Sequence, residues 1–343
     1  MTRKVTIALD VMGGDIGPDA IIPAALAILE KDDSVNFLLV GLPETLNKAQ
    51  ADVGETYGNR LIFVVAEEVV NMDEQPADAL RHKKKSSMRI AIEAVKNADA
   101  DACVSSGNTG ALMAIAHYVL KMLPGVDRPA IISAVPDRVG GSTFMLDLGA
   151  NAGCNAQHLF QFAVMGAVVA EDILDVERAR VGLLNIGQED IKGNEIVRKA
   201  GDLLNQSDLN YLGFFEGDSI FSGEVDVIVS DGFVGNVALK TMEGVAGLMS
   251  AILREEFQRN FLRRSQGLLA ASALNAIRKR LDSRKYNGAS LVGLNGIVIK
   301  SHGGADKFAF ENAVQTAIVE ARKGVPTQIG KRIKDQGIKC THA

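Results

Sequence analysis

Cysteine is scarce in this sequence, and the three cysteines do not form a recognisable site. Cys103, Cys154 and Cys340 lie at unrelated spacings in a chain of 343 residues, with no Cys-x-x-Cys pair and no histidine at zinc-ligand spacing. This pattern argues against a disulfide framework and against a zinc site. We therefore expect a reducing, cytoplasmic location with no metal and no other cofactor. Because Cys103 and Cys154 lack an evident activating base, we interpret them as small buried side chains rather than nucleophiles.

The sequence also lacks the runs and motifs that mark several large classes of protein. No apolar run approaches the length that spans a bilayer, and the N-terminal MTRKVTIALD is broken by Asp10 and has no cleavage site. The motifs G-x-G-x-x-G, G-x-x-x-x-G-K-[ST], H-E-x-x-H and G-x-S-x-G are absent. Their absence argues against a Rossmann cofactor, a P-loop nucleotide, a zincin site and a hydrolase nucleophile elbow. The net charge of −5 argues against nucleic acid as a partner.

The sequence does contain a recurring pattern of apolar runs that end in polar, glycine-bearing loops. Buried parallel strands read as continuous apolar runs, and open α/β sheets bind ligands outside the carboxyl ends of their strands. Glycine lets backbone N–H groups approach a ligand, and a helix N-terminus favours an anion. We therefore expect these loops to share one crevice that binds an anionic substrate. The runs with their loops are Val5–Asp15, Ala102–Gly110, Phe144–Asn151, Val181–Glu195, Val225–Asn236 and Ile297–Asp306.

Alternation of strand patterns and helical patterns predicts the fold class. The alternation is typical of an α/β protein with a doubly wound, mostly parallel sheet. Because no Pro/Gly/Ser-rich linker interrupts the chain, we expect residues 1–343 to form a single α/β catalytic unit, with or without two lobes around a cleft. The predicted strands lie near Val5–Leu9, Phe37–Val40, Leu61–Val65, Ala130–Val135 and Phe144–Leu148.

The pattern changes after Asn236, where apolar residues from Val245 to Phe261 recur at helical spacing. A second helical pattern runs from Leu268 to Leu281, so we predict a projecting helical hairpin over residues 237–287. Its turn carries Leu268, Leu269 and Leu274 between clusters of basic residues. An apolar turn with basic flanks suits contact with an anionic membrane, and the same leucines also suit packing in a dimer interface.

Polar residues of the glycine-bearing loops are the candidate site residues. Lys192 can hold phosphate or a developing oxyanion, although a solvated lysine neutralised by Glu189 or Glu195 has the same local sequence. The Asn236 amide can donate to a carbonyl oxygen while it caps the next helix. His302 suits an acid–base role or a backbone-bonded loop position. The expected substrate-binding residues are Gly13, Gly14, Asp15, Ser106, Gly107, Asn108, Thr109, Gly110, Asp147, Asn151, Asn194, Asp231, Gly232 and His302. Turn or cap duty is the alternative for these residues.

Taken in order, these motifs resemble those of the bacterial fatty acyl-ACP:phosphate acyltransferases, the PlsX family. The motifs are Asp10–Asp15 with Pro18, Ser106–Gly110, Leu146–Asn151, Lys192–Glu195, Asp231–Asn236 and His302-Gly303. The resemblance implies transfer of a long-chain acyl group from acyl-[acyl carrier protein] to inorganic phosphate, which gives acyl phosphate for phosphatidic acid and phospholipid synthesis. It also implies a homodimer, a fold akin to isocitrate dehydrogenase and phosphotransacetylase, and catalytic roles for Lys192 and Asn236. The chain departs from the family at Ser301–Ala305, where a serine is expected soon after the His-Gly pair.

The resemblance further implies an acidic carrier protein as partner, for which two basic segments are the candidate docking sites. These sites are Lys83, Lys84 and Lys85 in one segment and Arg263 and Arg264 in the other. The acyl phosphate would pass to an acyl-phosphate:glycerol-3-phosphate acyltransferase, which suits a peripheral position on the inner face of the cell membrane. Alternative functions are a phosphotransacetylase-like acyl-CoA enzyme, a decarboxylating hydroxy-acid dehydrogenase and a non-catalytic carrier-protein-binding regulator. A dehydrogenase needs an arginine cluster and a metal-binding aspartate group, and neither is readable in the sequence.

Overall fold

One large sheet is the frame of the structure, a computed structural model that describes residues 3–53 and 55–337, so that Cys340 lies outside the described residues. Strands β1 to β11 are, in chain order, Val5–Asp10, Val35–Gly41, Leu61–Val65, Ala102–Ser105, Ala130–Pro136, Ser142–Leu146, Arg180–Leu184, Asn210–Phe215, Val227–Val229, Ala289–Val292 and Ile297–Lys300. Helices α1 to α12 are Pro18–Leu29, Pro43–Val53, Pro76–His82, Ser87–Lys96, Thr109–Leu120, Ala156–Leu174, Glu195–Asn205, Gly232–Gln258, Phe261–Leu269, Ala271–Leu281, Lys307–Lys323 and Val325–Asp335.

The strands form two parallel blocks that run in opposite directions. In spatial order the sheet reads β3-β2-β1-β4-β11-β10-β5-β6-β9-β7-β8. The block from β3 to β11 is parallel, and so is the block from β6 to β8. Between them, β10 is antiparallel to β11 and to β5, and β5 is antiparallel to β6. An odd number of reversals places the carboxyl ends of the two blocks at opposite edges, so the glycine-bearing loops of the two blocks do not leave the sheet at the same edge. That these loops share one crevice stays a prediction.

Helices cover both faces of the sheet, as predicted for a doubly wound fold. In the first block, α1 and α11 pack on one face and α4 and α5 on the other. In the second block, α6 and α12 pack on one face. The opposite face is covered by the first turns of α8, where Ala238, Leu239 and Met242 contact a cluster that also includes Met113 of α5. Helices α5 and α8 therefore lie on the same face.

The helical segment after β9 differs from the predicted hairpin in its start and in its number of helices. Helix α8 begins at Gly232 because the Asp231 carboxylate accepts hydrogen bonds from the N–H groups of Phe233 and Val234, each at 2.9 Å. A carboxylate at this position satisfies N–H groups that have no partner within the helix. Asn236 is therefore a residue of α8 and not its cap. Two short helices, α9 and α10, follow α8 and meet at Ala270.

Candidate active site

Three loops of the first block pack together at one edge of the sheet. We call residues 11–17, 106–108 and 301–306, which follow β1, β4 and β11, the first loop cluster. The Asp15 N–H donates to the Gly303 carbonyl oxygen at 2.8 Å, and the Ser301 N–H donates to the Ser105 carbonyl oxygen at 2.9 Å. Gly14 has φ +86°, and a Cβ atom there would lie 2.6 Å from the Gly303 oxygen. The loops thus meet backbone to backbone, which explains the need for glycine at this position.

Beneath the first loop cluster lies a buried aspartate, Asp10, the last residue of β1. Its two carboxylate oxygens accept hydrogen bonds from the hydroxyls of Ser87 and Ser105, each at 2.6 Å. Burial raises the pKa of Asp10, and these hydrogen bonds oppose the rise. Asp10 therefore joins β1 to α4 and β4 at the point where the loops leave the sheet.

Lys300, the last residue of β11, is a feature of this cluster that the sequence analysis missed. Its Nζ donates to the carbonyl oxygen of Ser106 at 3.1 Å and to that of Ser301. Burial lowers the pKa of Lys300 to about 8; the charges of Asp10 and Asp15 oppose this shift, and the charge of Lys240 adds to it. A lysine at the end of a strand is usually solvated, so the local sequence did not indicate that Lys300 belongs to the site.

The other predicted residues of the first loop cluster have mainly structural contacts. The Asn108 side chain caps α5 by accepting from the Ala111 N–H at 3.0 Å, and its amide donates to the carbonyl oxygens of Met72 and Glu74, each at 2.9 Å. His302 is exposed, and its Nδ1 accepts from the Gly304 N–H at 3.2 Å. This contact matches the backbone-bonded interpretation of His302. Gly13, Ser106 and Gly107 are buried, whereas Asp15 and Thr109 are exposed and Gly110 is partly exposed.

The second block carries its own group of loops at the opposite edge, residues 147–155, 185–194 and 230–231, which we call the second loop cluster. Its centre is the buried Asp147, which follows β6. One carboxylate oxygen accepts from the N–H groups of Ile131, Gly149 and Ala150 at 3.0, 3.2 and 2.9 Å. The other accepts from the backbone and side-chain amides of Asn151 at 2.7 and 2.9 Å. Burial raises the pKa of Asp147, and the hydrogen bonds oppose this.

The turn around Asp147 supports the start of α8. The Gly232 N–H donates to the Asn151 carbonyl oxygen at 2.8 Å, and a Cβ atom at Gly232 would lie 2.7 Å from the Asp147 carboxylate. One turn further along α8, Asn236 lies beside Gly149, where a Cβ atom would be 3.5 Å from the Asn236 Cγ. Asp147, Asn151, Asp231, Gly232 and Asn236 are thus brought together, as their shared loop pattern predicted.

Lys192 lies at the same edge but makes no side-chain ion pair among the described residues. Its loop follows β7, which is the parallel neighbour of β9, and Leu183 aligns with Val229. The expected neutralising partner Glu195 instead pairs with Lys199 at 2.6 Å. Asn194 caps α7 by accepting from the Val197 N–H at 2.9 Å. Lys192 is therefore an exposed cation in the loop after β7, the strand adjacent to the one that leads into α8, and it makes no direct hydrogen bond to Asn236.

Helix α8 connects the two edges. It starts in the second loop cluster, crosses the face of the sheet that α5 also covers, and brings Lys240 close enough to affect the pKa of Lys300 in the first cluster. Asn236 and Lys240 are four residues apart, so their side chains lie on one face of α8 and about 6 Å apart along its axis. Helix α8 thus runs from the second loop cluster toward Lys300 of the first, although the two clusters do not share an edge.

The residues predicted for docking belong to surface segments outside the two loop clusters. Lys84 and Lys85 are exposed and Lys83 is partly exposed between α3 and α4, where Lys85 pairs with Glu67 at 2.8 Å. Arg263 and Arg264 are exposed on α9. Leu268 and Leu269, at the end of α9, are 78% and 89% exposed, whereas Leu274 in α10 is half-buried. No helix in the described ranges is both long and apolar enough to cross a membrane.

The cysteines offer little nucleophilic character. Cys103 is buried in β4, and burial raises the pKa of its thiol. Burial also raises the pKa of Cys154 to about 11, with the charge of Asp147 adding to the effect. A thiol with a raised pKa is a poor nucleophile at neutral pH. In the part of the chain that the structure describes, no three His, Cys, Asp or Glu side chains group as a metal site would require.

Comparison with known proteins gives consistent results over almost the whole chain. A family model described as fatty acid synthesis protein matches residues 5–328. The phosphate acyltransferase of Alkalilimnicola ehrlichii is 58% identical over 334 residues, which are 97% of this chain and 97% of the relative. The phosphate acyltransferase of Methylococcus capsulatus is 56% identical over 330 residues, 96% of this chain and 97% of the relative.

Solved structures of a second group share the fold. A phosphotransacetylase from Streptococcus pyogenes aligns with a TM-score of 0.62 at 16% identity, over 93% of this chain and 94% of its own. A branched-chain phosphotransacylase from Enterococcus faecalis aligns with a TM-score of 0.56 at 12% identity, over 92% and 99% of the two chains. At such identities the likeness concerns the fold alone, and it confirms the predicted phosphotransacetylase-like fold.

Proposed function

This chain belongs to the phosphate acyltransferase family, the PlsX family, and on that premise we propose that it transfers a long-chain acyl group from acyl-[acyl carrier protein] to inorganic phosphate. The product would be an acyl phosphate for phosphatidic acid and phospholipid synthesis. The observation that carries the proposal is the position of Asn236. It lies in the first turns of α8, beside the Asp147 turn, at the same sheet edge as the Lys192 loop.

The chemistry needs little beyond binding and charge stabilisation. A thioester is already activated, so a phosphate oxygen can attack its carbonyl carbon while the C–S bond breaks and the carrier thiol leaves. The developing oxyanion requires fixed hydrogen-bond donors, and we assign this role to the Asn236 amide and the Lys192 ammonium. The raised pKa values of Cys103 and Cys154 support direct attack by phosphate rather than an acyl-cysteine intermediate.

Two basic surfaces would receive the acidic carrier protein. Lys83 to Lys85 lie between α3 and α4, and Arg263 and Arg264 lie on α9. Exposed charges of one sign attract a partner of the other sign and increase its association rate. We therefore expect the Michaelis constant for acyl-[acyl carrier protein] to rise with ionic strength.

We assign the long exposed face of α8 to a second copy of the chain. Its apolar residues recur at spacings of three and four and are about half exposed, which is costly in water unless another surface covers them. They are Val245, Leu248, Met249, Ile252 and Leu253. This face makes a homodimer the expected state.

We assign Leu268, Leu269 and Leu274 to contact with the membrane surface, where the labile product would pass to an acyl-phosphate:glycerol-3-phosphate acyltransferase. Arginine and lysine near an anionic bilayer contribute about 1 kcal/mol each. The double variant Leu269→Glu with Leu274→Glu should lose sedimentation with anionic liposomes while it remains dimeric and retains turnover in solution. If the double variant dissociates into monomers, these leucines belong to the dimer interface instead.

The function is tested by release of the carrier thiol. Purified protein is incubated with long-chain acyl-[acyl carrier protein] in phosphate, in sulfate at equal ionic strength, and in phosphate with a chelator. We expect thiol release in both phosphate samples and none in sulfate. The same acyl group on coenzyme A tests the phosphotransacetylase-like alternative, which would prefer that donor. A regulator that only binds the carrier protein would release no thiol in any sample.

A further inference from the structure

The ammonium of Lys300 is partly buried and lacks the carboxylate partner that a buried charge normally has. No carboxylate of the described residues lies within 4.0 Å of its Nζ, although Asp10 and Asp15 are near enough to influence it. Its two contacts are the backbone carbonyl oxygens of Ser106 and Ser301. An ammonium has three N–H donors, so one remains for another acceptor. Buried charges in proteins are normally paired, and an anionic ligand is a suitable counter-charge here.

A second lysine approaches the same place from α8. Lys240 is exposed, forms a local pair with Glu243 at 2.7 Å, and lies close enough to Lys300 for its charge to lower the pKa of Lys300. Two like charges that act on one another are mutually unfavourable. A dianion between them would convert this repulsion into attraction. Lys240 also lies one helical turn from Asn236 and on the same face of α8.

We propose that Lys300 and Lys240 hold the phosphate substrate in the first loop cluster. This inference rests on the proposed function and names residues for its second substrate. Helix α8 rises about 6 Å between Asn236 and Lys240, so a phosphate held by Lys240 would be on the side of α8 where Asn236 can bind the thioester carbonyl. The first cluster would then bind the nucleophile, and the second would stabilise the oxyanion.

The kinetic test measures the Michaelis constants for phosphate and for the acyl donor in Lys240→Met, Lys300→Met and Lys331→Met. Hydrogen bonds to charged groups contribute enough to predict a rise in the Michaelis constant for phosphate of about tenfold for Lys240→Met and roughly 10- to 100-fold for Lys300→Met. The constant for the acyl donor should stay within about twofold. Lys331 is exposed on α12, so its variant is the matched control.

A pH series separates ligand binding from a structural role of Lys300. Inorganic phosphate is already a dianion above pH 8, so a rise in its Michaelis constant above about pH 8 reports loss of the Lys300 proton. Asp10, Asp15 and Lys240 are the charged groups that face this ammonium. The rise should be present in the wild-type protein and in Lys240→Met, shifted upward in pH in the latter, and absent from Lys300→Met.

Thermal unfolding with and without inorganic phosphate provides a readout that needs no turnover. A ligand that binds only the folded state raises the melting temperature, and both lysine variants should lose most of that rise. Lys240 is exposed, so Lys240→Met should fold even if Lys300→Met does not. The inference is overturned if Lys240→Met keeps the wild-type Michaelis constant and the wild-type phosphate-dependent rise. If the wild-type protein releases no thiol yet is stabilised by phosphate through both lysines, the proposed function fails while this site stands.

Discussion

Each of the two loop clusters is organised by one buried aspartate, but the partners of the two carboxylates differ in kind. Asp10 accepts mainly from the hydroxyls of Ser87 and Ser105, which belong to other elements, with one further hydrogen bond from the Met12 N–H. Asp147 accepts five N–H hydrogen bonds, four of them from its own turn. A hydroxyl can donate or accept, whereas an N–H group can only donate. The first site therefore tolerates a change of charge at its centre, and the second requires a carboxylate.

This difference indicates that the two clusters suit different roles in the reaction. The first contains the partly buried Lys300, whose pKa of about 8 is close to physiological pH. Contacts between separate elements hold this cluster together. The second is a rigid turn in which a fixed carboxylate shapes the backbone that supports Gly232 and Asn236. Binding a substrate whose charge varies suits the first arrangement. Stabilising a transition state with preorganised donors suits the second.

The largest expected effect is on turnover, and it tests whether the second loop cluster is the catalytic one. Asn236→Ala or Lys192→Ala should lower turnover by roughly 10²–10³-fold, because each removes a donor to the phosphate or the oxyanion in the transition state. Turnover is measured with saturating long-chain acyl-[acyl carrier protein] and phosphate, and circular dichroism checks the fold. Lys199→Ala, on the neighbouring helix α7, is the control and should remain near wild type. Turnover close to wild type in either variant would remove that residue from the catalytic set.

The next effect concerns the requirement for a carboxylate at residue 147. In Asp147→Asn the new amide group faces only N–H donors, so a hydrogen bond is lost and a buried donor is left unsatisfied. We expect a loss of about 2–4 kcal/mol in the free energy of unfolding. Urea denaturation at pH 7 measures it. A loss below about 1 kcal/mol would show that the turn does not depend on the charge of Asp147.

A third buried carboxyl group, that of Glu320 in α11, extends the comparison because it accepts only one hydrogen bond among the described residues. One oxygen accepts from the Ser290 hydroxyl at 2.9 Å, and the other has no hydrogen-bond partner. Burial raises the pKa of Glu320 from 4.5 to about 7. The folded state therefore holds a proton that the unfolded state has lost, and stability falls as the pH rises from about 4.5 to about 7. Above that range the ionised carboxylate costs on the order of 3 kcal/mol.

Glu320→Gln should remove this cost, because glutamine has the same shape and does not ionise. We expect the variant to gain about 1–3 kcal/mol in the free energy of unfolding at pH 8 and much less at pH 5. Urea denaturation at the two pH values measures the difference, with Glu216→Gln on the surface as the control. A gain that is the same at both pH values would mean that the pKa of Glu320 does not differ between the folded and unfolded states.

The sequence predicted the strands well where long apolar runs mark them, and it failed where the fold depends on distant partners. β1, β2 and β3 lie within a residue or two of their predicted bounds. The sequence analysis missed the short strand β10. This strand is antiparallel to both neighbours, and an apolar run carries no information about strand direction, so the reversal of the second block was not predicted. The environment of Lys300 likewise depends on the carbonyl of Ser106 and the charge of Lys240, both remote in the chain. Local turn chemistry around Asp147 and Asp231 was readable because its partners are neighbours in sequence.

The smallest expected effect on stability is that of Asp10→Asn, the counterpart of Asp147→Asn. The oxygen of the new amide can accept from the Met12 N–H and one hydroxyl, and the other hydroxyl can rotate to accept from its NH₂ group. We expect a change below about 1 kcal/mol in the free energy of unfolding, measured beside Asp147→Asn. Because the Asp10 charge raises the pKa of Lys300, its removal should move the alkaline rise in the Michaelis constant for phosphate to lower pH. If Asp10→Asn is as unstable as Asp147→Asn, the two aspartates play the same role and the contrast between the clusters fails.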